Sequence, residues 1–262
     1  MNEFDVPYYH GKDKEDPKPV APRKTYEPRG NRGMAVIELF TTDFTKTGTG
    51  YTNRSGNYKP FGGGTDPIDL PENDENVTNE EDKAARALNP YEGEFAAAYN
   101  TAARELREES HVNVVEELQR FTLEDGKETP LVFVEDHYEY IRNDASFGRR
   151  HYFVGVMQKD RQLERFDVIE DGVDKHFNKQ GWTTVEEMLD GGYQEPFNTL
   201  YCASLPLVLL KMMGMKCFAE NPAFQELLAR IAPDGNIAEV LAEKRKKIAT
   251  KDAEKKALGE SR

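Results

Sequence analysis

The stretch from Thr101 to Val112, Thr-Ala-Ala-Arg-Glu-Leu-Arg-Glu-Glu-Ser-His-Val, constrains this chain more than any other. Glu105, Glu108 and Glu109 are spaced three and four apart, so a helix through them carries all three carboxylates on one side. Three like charges that close repel, and a helix gains nothing by collecting them unless a cation sits among them. Hard ions such as Mg²⁺ or Mn²⁺ take oxygen ligands and keep waters that can be activated or bridge to phosphate. Arg104 lies one turn before Glu108 and can fix the orientation of a ligand. Ala102, Ala103, Leu106 and Val112 form an apolar side that would seat the helix on a sheet. A solvated helix laced with i,i+4 pairs has the same spacing, so the weight falls on the sequence around it.

That surrounding sequence resembles a family. Arg104, Glu105, Leu106, Glu108, Glu109 and Val112 match the second half of the Nudix box, Gly-x5-Glu-x7-Arg-Glu-U-x-Glu-Glu-x-Gly-U, where U is aliphatic. The first half is out of register, with Pro90 where the Gly belongs and Ala96 where the Glu belongs. Phe61-Gly-Gly-Gly64 resembles the family's glycine step after a strand, and Glu92-Gly-Glu94 resembles its Glu-x-Gly-Glu step. The distance between Gly64 and Glu94 then predicts an insertion inside the box. His111 replaces the closing Gly, a position that needs positive φ.

The resemblance implies an α/β/α sandwich with a mixed β-sheet between helices, over residues 34–190. It implies a pyrophosphohydrolase acting on a nucleoside diphosphate linked to another group. Glu105, Glu108 and Glu109 would hold Mg²⁺ or Mn²⁺, and Arg104 would orient the ligands. Glu105, or an acidic residue of the segment 164–174 (Glu164, Glu170 or Asp171), would take the proton of the attacking water. Glu108 counts among the catalytic residues as well. The backbone of Gly63 and Gly64 would shape the loop beneath the phosphates. Family members act on ADP-ribose, dinucleotides, nucleoside triphosphates, RNA caps and inositol pyrophosphates. An ADP-ribose-like or dinucleotide substrate is favoured, because Pro130 falls near, though not on, the position where ADP-ribose-cleaving members carry a proline. An RNA cap is allowed but not favoured, and so is a homodimer. The alternative is a Nudix-like domain that binds a nucleotide or a partner without cleaving it.

The chain has 262 residues with a formal net charge of −13, 37% hydrophobic and 32% charged. This balance argues against a broad electrostatic grip on nucleic acid and predicts flexible parts outside the core. An acidic enzyme acting on polyphosphates needs its metal ions to mask repulsion. The two cysteines, Cys202 and Cys217, have no metal-ligand spacing and read as reduced residues of a cytoplasmic protein. Neither a leader nor a membrane span is expected.

Along the chain, residues 1–32 read as an extended or flexible arm, with Arg23, Lys24, Arg29 and Arg32 as an alternative basic approach to phosphates. Residues 33–232 read as the hydrolase domain and 233–262 as a charged, solvated helical tail. Met34–Phe40 reads as a strand and 41–56 as a loop or loose hairpin. The acidic stretch 65–92 is expected to be a mobile surface loop, with a lid as the sharper alternative and a short helical turn near Asp82–Leu88. After the long helix from Glu94 to Glu109, Val112–Leu118 is expected to be extended. Strands follow at 120–123, 129–134, 137–141 and 151–157. Arg142, Arg149 and Arg150 sit on a predicted turn that either clamps a terminal phosphate or is a solvated hairpin tip. Trp182 reads as core, and Thr183 or Thr184 with Glu186 or Glu187 as a capping box. Helices are expected at 197–216, 222–232 and 237–258.

Overall fold

Met34–Phe40 (β1) is apolar on both faces but for Glu38, and both faces are covered. The computed structural model describes residues 33–52, 57–140, 147–163, 167–170, 173–190 and 199–257. After β1 come β2 (Lys46–Thr52), β3 (Asn57–Lys59), β4 (Phe61–Gly64), α1 (Glu80–Arg86), α2 (Gly93–Ser110) and α3 (Val114–Glu117). A small hairpin of β5 (Phe121–Thr122) and β6 (Glu128–Thr129) precedes β7 (Val132–Tyr140), β8 (Phe147–Val156), β9 (Asp167–Glu170) and β10 (Val173–Thr184). Then follow α4 (Val185–Asp190), α5 (Thr199–Met213), α6 (Lys216–Ala219), α7 (Pro222–Ile231) and α8 (Ile237–Ala257).

The main sheet runs β7-β8-β1-β2-β10-β9. It is mixed, because β1 and β8 are parallel while its other pairs are antiparallel. One edge of β1 is shared between two strands: β4 takes Met34–Ile37 and β2 takes Phe40. Glu38 lies at that fork.

Ala35, Ile37 and Leu39 face α2, where Ala98, Ala102, Ala103 and Leu106 meet them with Phe61 and Phe153. The alanines are small, which lets the helix axis come close to the sheet and brings its polar edge onto β4. Val36 and Phe40 face the other way, onto Leu205, Val208, Leu209 and Met212 of α5, with Phe224 of α7 behind them. Helices therefore cover both faces of a mixed sheet, as the resemblance implies. No helix among the described residues is long and apolar enough to cross a membrane.

Several local expectations are corrected. The segment 65–89 is not a structureless loop. Pro67–Asp69 and Pro71–Asn76 are 3₁₀ helices, and α1 is capped by Asn79, whose side chain accepts from the amides of Glu81 and Asp82. Prolines at the first helical position and acids in the first turn supply the local signal. Arg86 adds an ion pair to Asp74 within the segment. Val114–Glu117 is helical rather than extended, because Asn113 caps the amides of Val115 and Glu116. The glycines 62–64 lie in a strand, β4, rather than in a loop. The hairpin reading of 41–56 fits β2, which pairs with the end of β1. Arg149 and Arg150 fall within β8 rather than on a turn. The helix α8 is not fully solvated, since Leu241 and Ile248 are buried in the core.

The capping box at the start of α4 is present: Thr184 and Glu187 exchange hydrogen bonds in both directions. Trp182 is partly buried, with its indole N–H donating to the carbonyl of Arg161 at 2.7 Å. Residues 1–32, Arg142, Glu164 and Asp171 lie outside the described residues.

Candidate active site

Three glycines in β4 and three glutamates on α2 form one surface. Gly62 has φ +140°, and a Cβ there would come within 2.2 Å of the Ala35 carbonyl oxygen, so no other residue fits the strand pairing. Its amide donates to Oε2 of Glu109 at 2.8 Å. A Cβ on Gly63 would lie 2.3 Å from Oε1 of Glu105. The carboxylate of Glu105 thus occupies the place a side chain would take. Glu105 and Glu109 are both 5% exposed, although charged groups are seldom buried without partners.

Arg104 ties this surface together. Its Nε and Nη2 donate to the two oxygens of Asp69 at 2.8 and 2.9 Å, a bidentate pair. Its Nη1 lies 3.0 Å from Oε1 of Glu105 and 3.0 Å from Oε2 of Glu108. Burial alone would lower the Arg104 guanidinium. The hydrogen bonds it donates to Asp69 and the charges of Glu105, Asp69 and Glu108 outweigh it and hold the group well above its ordinary value. Asp69 is fully buried and also accepts from the Thr101 hydroxyl at 3.1 Å and the Asp66 amide at 2.9 Å.

Arg107 repeats the pattern one turn later on the exposed side. Its Nε and Nη2 donate to Asp82 at 2.7 and 2.9 Å, and Nη2 also reaches Oε1 of Glu108 at 3.2 Å. Glu108 is therefore held by two arginines, while Glu105 and Glu109 lie on the glycine strand. The helix ends at His111, which takes the left-handed conformation at φ 53°, ψ 26° that the sequence requires there.

Other residues singled out by sequence fall elsewhere. Glu94 is exposed in the first turn of α2, about 16 Å along the axis from Glu105 at 1.5 Å per residue. The residue that sequence reasoning missed is Asp69. It lies at a Gly-x5-acid spacing from Gly63. Gly64 contributes its carbonyl, 3.4 Å from Nη2 of Arg104. Arg150 is buried in β8, and strand alternation with His151 and Phe153, which face α2, puts it on the opposite face of the sheet. The side chains of Arg149 and Glu170 lie outside the described residues. Glu38, also on the face away from α2, is fully buried, accepts from the Thr47 hydroxyl at 3.2 Å, and is pushed up to about 7 by burial.

No group of three or more His, Cys, Asp or Glu among the described residues is arranged to hold a metal ion. The donor chemistry nevertheless fits a hard divalent cation. Glu105 and Glu109 present carboxylate oxygens one turn apart, and the missing side chain at Gly63 leaves Glu105 its place beside the strand.

No protein-family model matches the chain, and no curated protein matches it. Solved structures do. A NUDIX hydrolase from Alicyclobacillus acidocaldarius is 12% identical over 67% of this chain and 89% of its own, with a TM-score of 0.44. The E. coli dihydroneopterin triphosphate pyrophosphohydrolase is 11% identical over 76% of this chain and 96% of its own, with a TM-score of 0.38. A C. elegans Ap4A hydrolase is 15% identical over 60% of this chain and 82% of its own, with a TM-score of 0.33. The solved structures to which this chain is similar thus include a NUDIX hydrolase, a pyrophosphohydrolase and an Ap4A hydrolase.

Proposed function

We propose that the chain is a Nudix-type, metal-dependent hydrolase that cleaves a pyrophosphate bond in a nucleoside diphosphate linked to another group. The observation that carries this reading is the pair of buried carboxylates, Glu105 and Glu109, laid on a strand whose glycines admit them and little else. Mg²⁺ or Mn²⁺ held by Glu105 and Glu109, with Glu108 adjoining, would supply a lowered water pKa and charge stabilisation at phosphorus. The Gly62 amide fixes one oxygen of Glu109. Arg104, itself fixed by Asp69, orients Glu105 and Glu108. Glu105, or an acidic residue of 164–174, accepts the proton of the water. A hard cation at this place also offsets the repulsion between polyphosphate and a chain of net charge −13. An ADP-ribose-like or dinucleotide compound is the favoured substrate. The free, half-buried Cys217 accords with a cytoplasmic setting.

A second reading is a nucleotide- or partner-binding module without turnover. Its support is Glu108, both of whose oxygens accept from arginine. Hydrolysis of a panel of nucleoside-diphosphate compounds with Mg²⁺ and Mn²⁺, wild type beside Glu109→Gln, separates the two. Metal-dependent turnover lost in the variant is expected. Full activity in Glu109→Gln would sink the assignment, and nucleotide binding without turnover in wild type would select the binding module.

A further inference from the structure

Both arginines of the site use the same edge in the same way. The Nε–Nη2 edge of Arg104 is taken by Asp69, and the Nε–Nη2 edge of Arg107 is taken by Asp82. That edge gives a guanidinium its strong bidentate contact with a carboxylate. Both aspartates come from the segment 65–89, and neither is a neighbour of its arginine in sequence. Glu108 consequently receives one contact from each arginine: Nη1 of Arg104 at 3.0 Å and the shared Nη2 of Arg107 at 3.2 Å.

We infer that Asp82 is a positioning residue that keeps Arg107 from closing on Glu108 and so sets the affinity of the α2 carboxylates for a divalent cation. The inference rests on the metal-binding reading proposed above. Asp82 acts through electrostatics as well as geometry. Each aspartate cancels the charge of one arginine, so the negative charge of Glu105, Glu108 and Glu109 is left for a cation. Without the Asp82 carboxylate, the Arg107 fork is free to turn its bidentate edge to Glu108, next to it in sequence and already in contact. A guanidinium seated there competes directly with a metal ion for the same oxygens. The segment 65–89 is thus a built part of the cation site, clamped to α2 by its two aspartates, where a surface insertion would have had no such contact.

The test is Mn²⁺ binding to the full chain without substrate, read from the free Mn²⁺ signal by electron paramagnetic resonance. Four proteins are compared: wild type, Asp82→Asn, Arg107→Gln and the double variant. Asp82→Asn is expected to weaken Mn²⁺ binding about fivefold, and removing Arg107 as well is expected to restore it to near the wild-type value. Arg107→Gln alone is expected to bind Mn²⁺ at least as tightly as wild type. This arm decides the matter even if Asp82→Asn fails to fold. Equal weakening in Asp82→Asn and the double variant would reduce Asp82 to a docking contact and overturn the inference. So would weakened binding in Arg107→Gln, or unchanged binding in Asp82→Asn. Wild type that binds no Mn²⁺ would overturn the metal reading itself, and this inference with it.

Discussion

The amide of Gly62 donates to Oε2 of Glu109 at 2.8 Å, which fastens the last carboxylate of α2 to the backbone of the strand beneath it. Next to it, Glu105 fills the space over Gly63. The two glycines are needed for different reasons. At Gly62 the obstacle to a side chain is backbone, the Ala35 carbonyl, combined with φ +140°. At Gly63 the obstacle is the end of a flexible side chain.

Substituting each by alanine should therefore have opposite signatures. Gly62→Ala is expected to disrupt the β1–β4 pairing and cost on the order of 3 kcal/mol in stability. Gly63→Ala is expected to fold and to displace the Glu105 carboxylate, lowering turnover on the order of 100-fold. Denaturant melts beside steady-state kinetics check both. A Gly63→Ala protein with wild-type turnover would show that the place of Glu105 over the strand has no part in catalysis.

The Arg104–Asp69 pair predicts a large stability effect at a residue with no sequence neighbours in the site. Asp69 is fully buried, and Arg104 is 8% exposed. Breaking a buried pair by removing one partner leaves an uncompensated charge, at a cost of about 3–5 kcal/mol. Glu105 and Glu108 also contact Arg104, so Asp69→Asn should fall at the lower end, about 3 kcal/mol. The expected result is a lower urea midpoint with an unchanged slope. A midpoint within error of wild type would mean that Arg104 is held in place without Asp69.

Much of this arrangement is legible in the sequence. The spacing of Glu105, Glu108 and Glu109 and the alanines behind them define α2, and Met34–Phe40 is apolar enough to be a central strand. Thr184 and Glu187 announce the start of α4 through a local rule, and a box position that needs positive φ locates the bend at His111. Asp69 and Asp82 were hidden because their partners, Arg104 and Arg107, lie 35 and 25 residues away. Pairing over such distances leaves no trace in local periodicity, and an acidic run reads as solvated whether or not it is. Asn113 could have been recognised as a helix cap; the valines on either side of it argued louder for a strand. Glu38 was unreadable for a related reason, since a lone acid in an apolar strand has the same sequence signature at an edge and in the core.

His111 carries a left-handed backbone on a side chain that tolerates but does not favour it. The cost for a non-glycine residue is about 1 kcal/mol. His111→Gly and His111→Ala both remove the imidazole, so their difference isolates the backbone. The glycine variant is expected to be the more stable of the two by about 1 kcal/mol, read from thermal or urea melts. Equal stabilities would place the bend under tertiary control, through contacts such as the His111 carbonyl with Arg161 at 2.9 Å.

Glu38 gives the chain a pH dependence unrelated to the cation site. Burial pushes its carboxyl from 4.5 up to about 7, against the smaller effect of the Thr47 hydrogen bond, and Oε1 has no hydrogen-bond partner among the described residues. Between those two values the folded chain holds a proton that the unfolded chain has released. The folded state is thus the better proton binder in that window, so stability falls as pH rises from 4.5 to about 7 and levels off above it. At 1.36 kcal/mol per unit, the loss from this one group amounts to about 3 kcal/mol. Glu38→Gln cannot ionise and keeps the shape. It is expected to match wild type near pH 4 and to exceed it by up to about 3 kcal/mol at pH 8. Urea melts of both proteins at several pH values give the difference directly, free of every group they share. Two curves that stay parallel across the window would mean that the Glu38 carboxylate is charged and solvated in the folded chain.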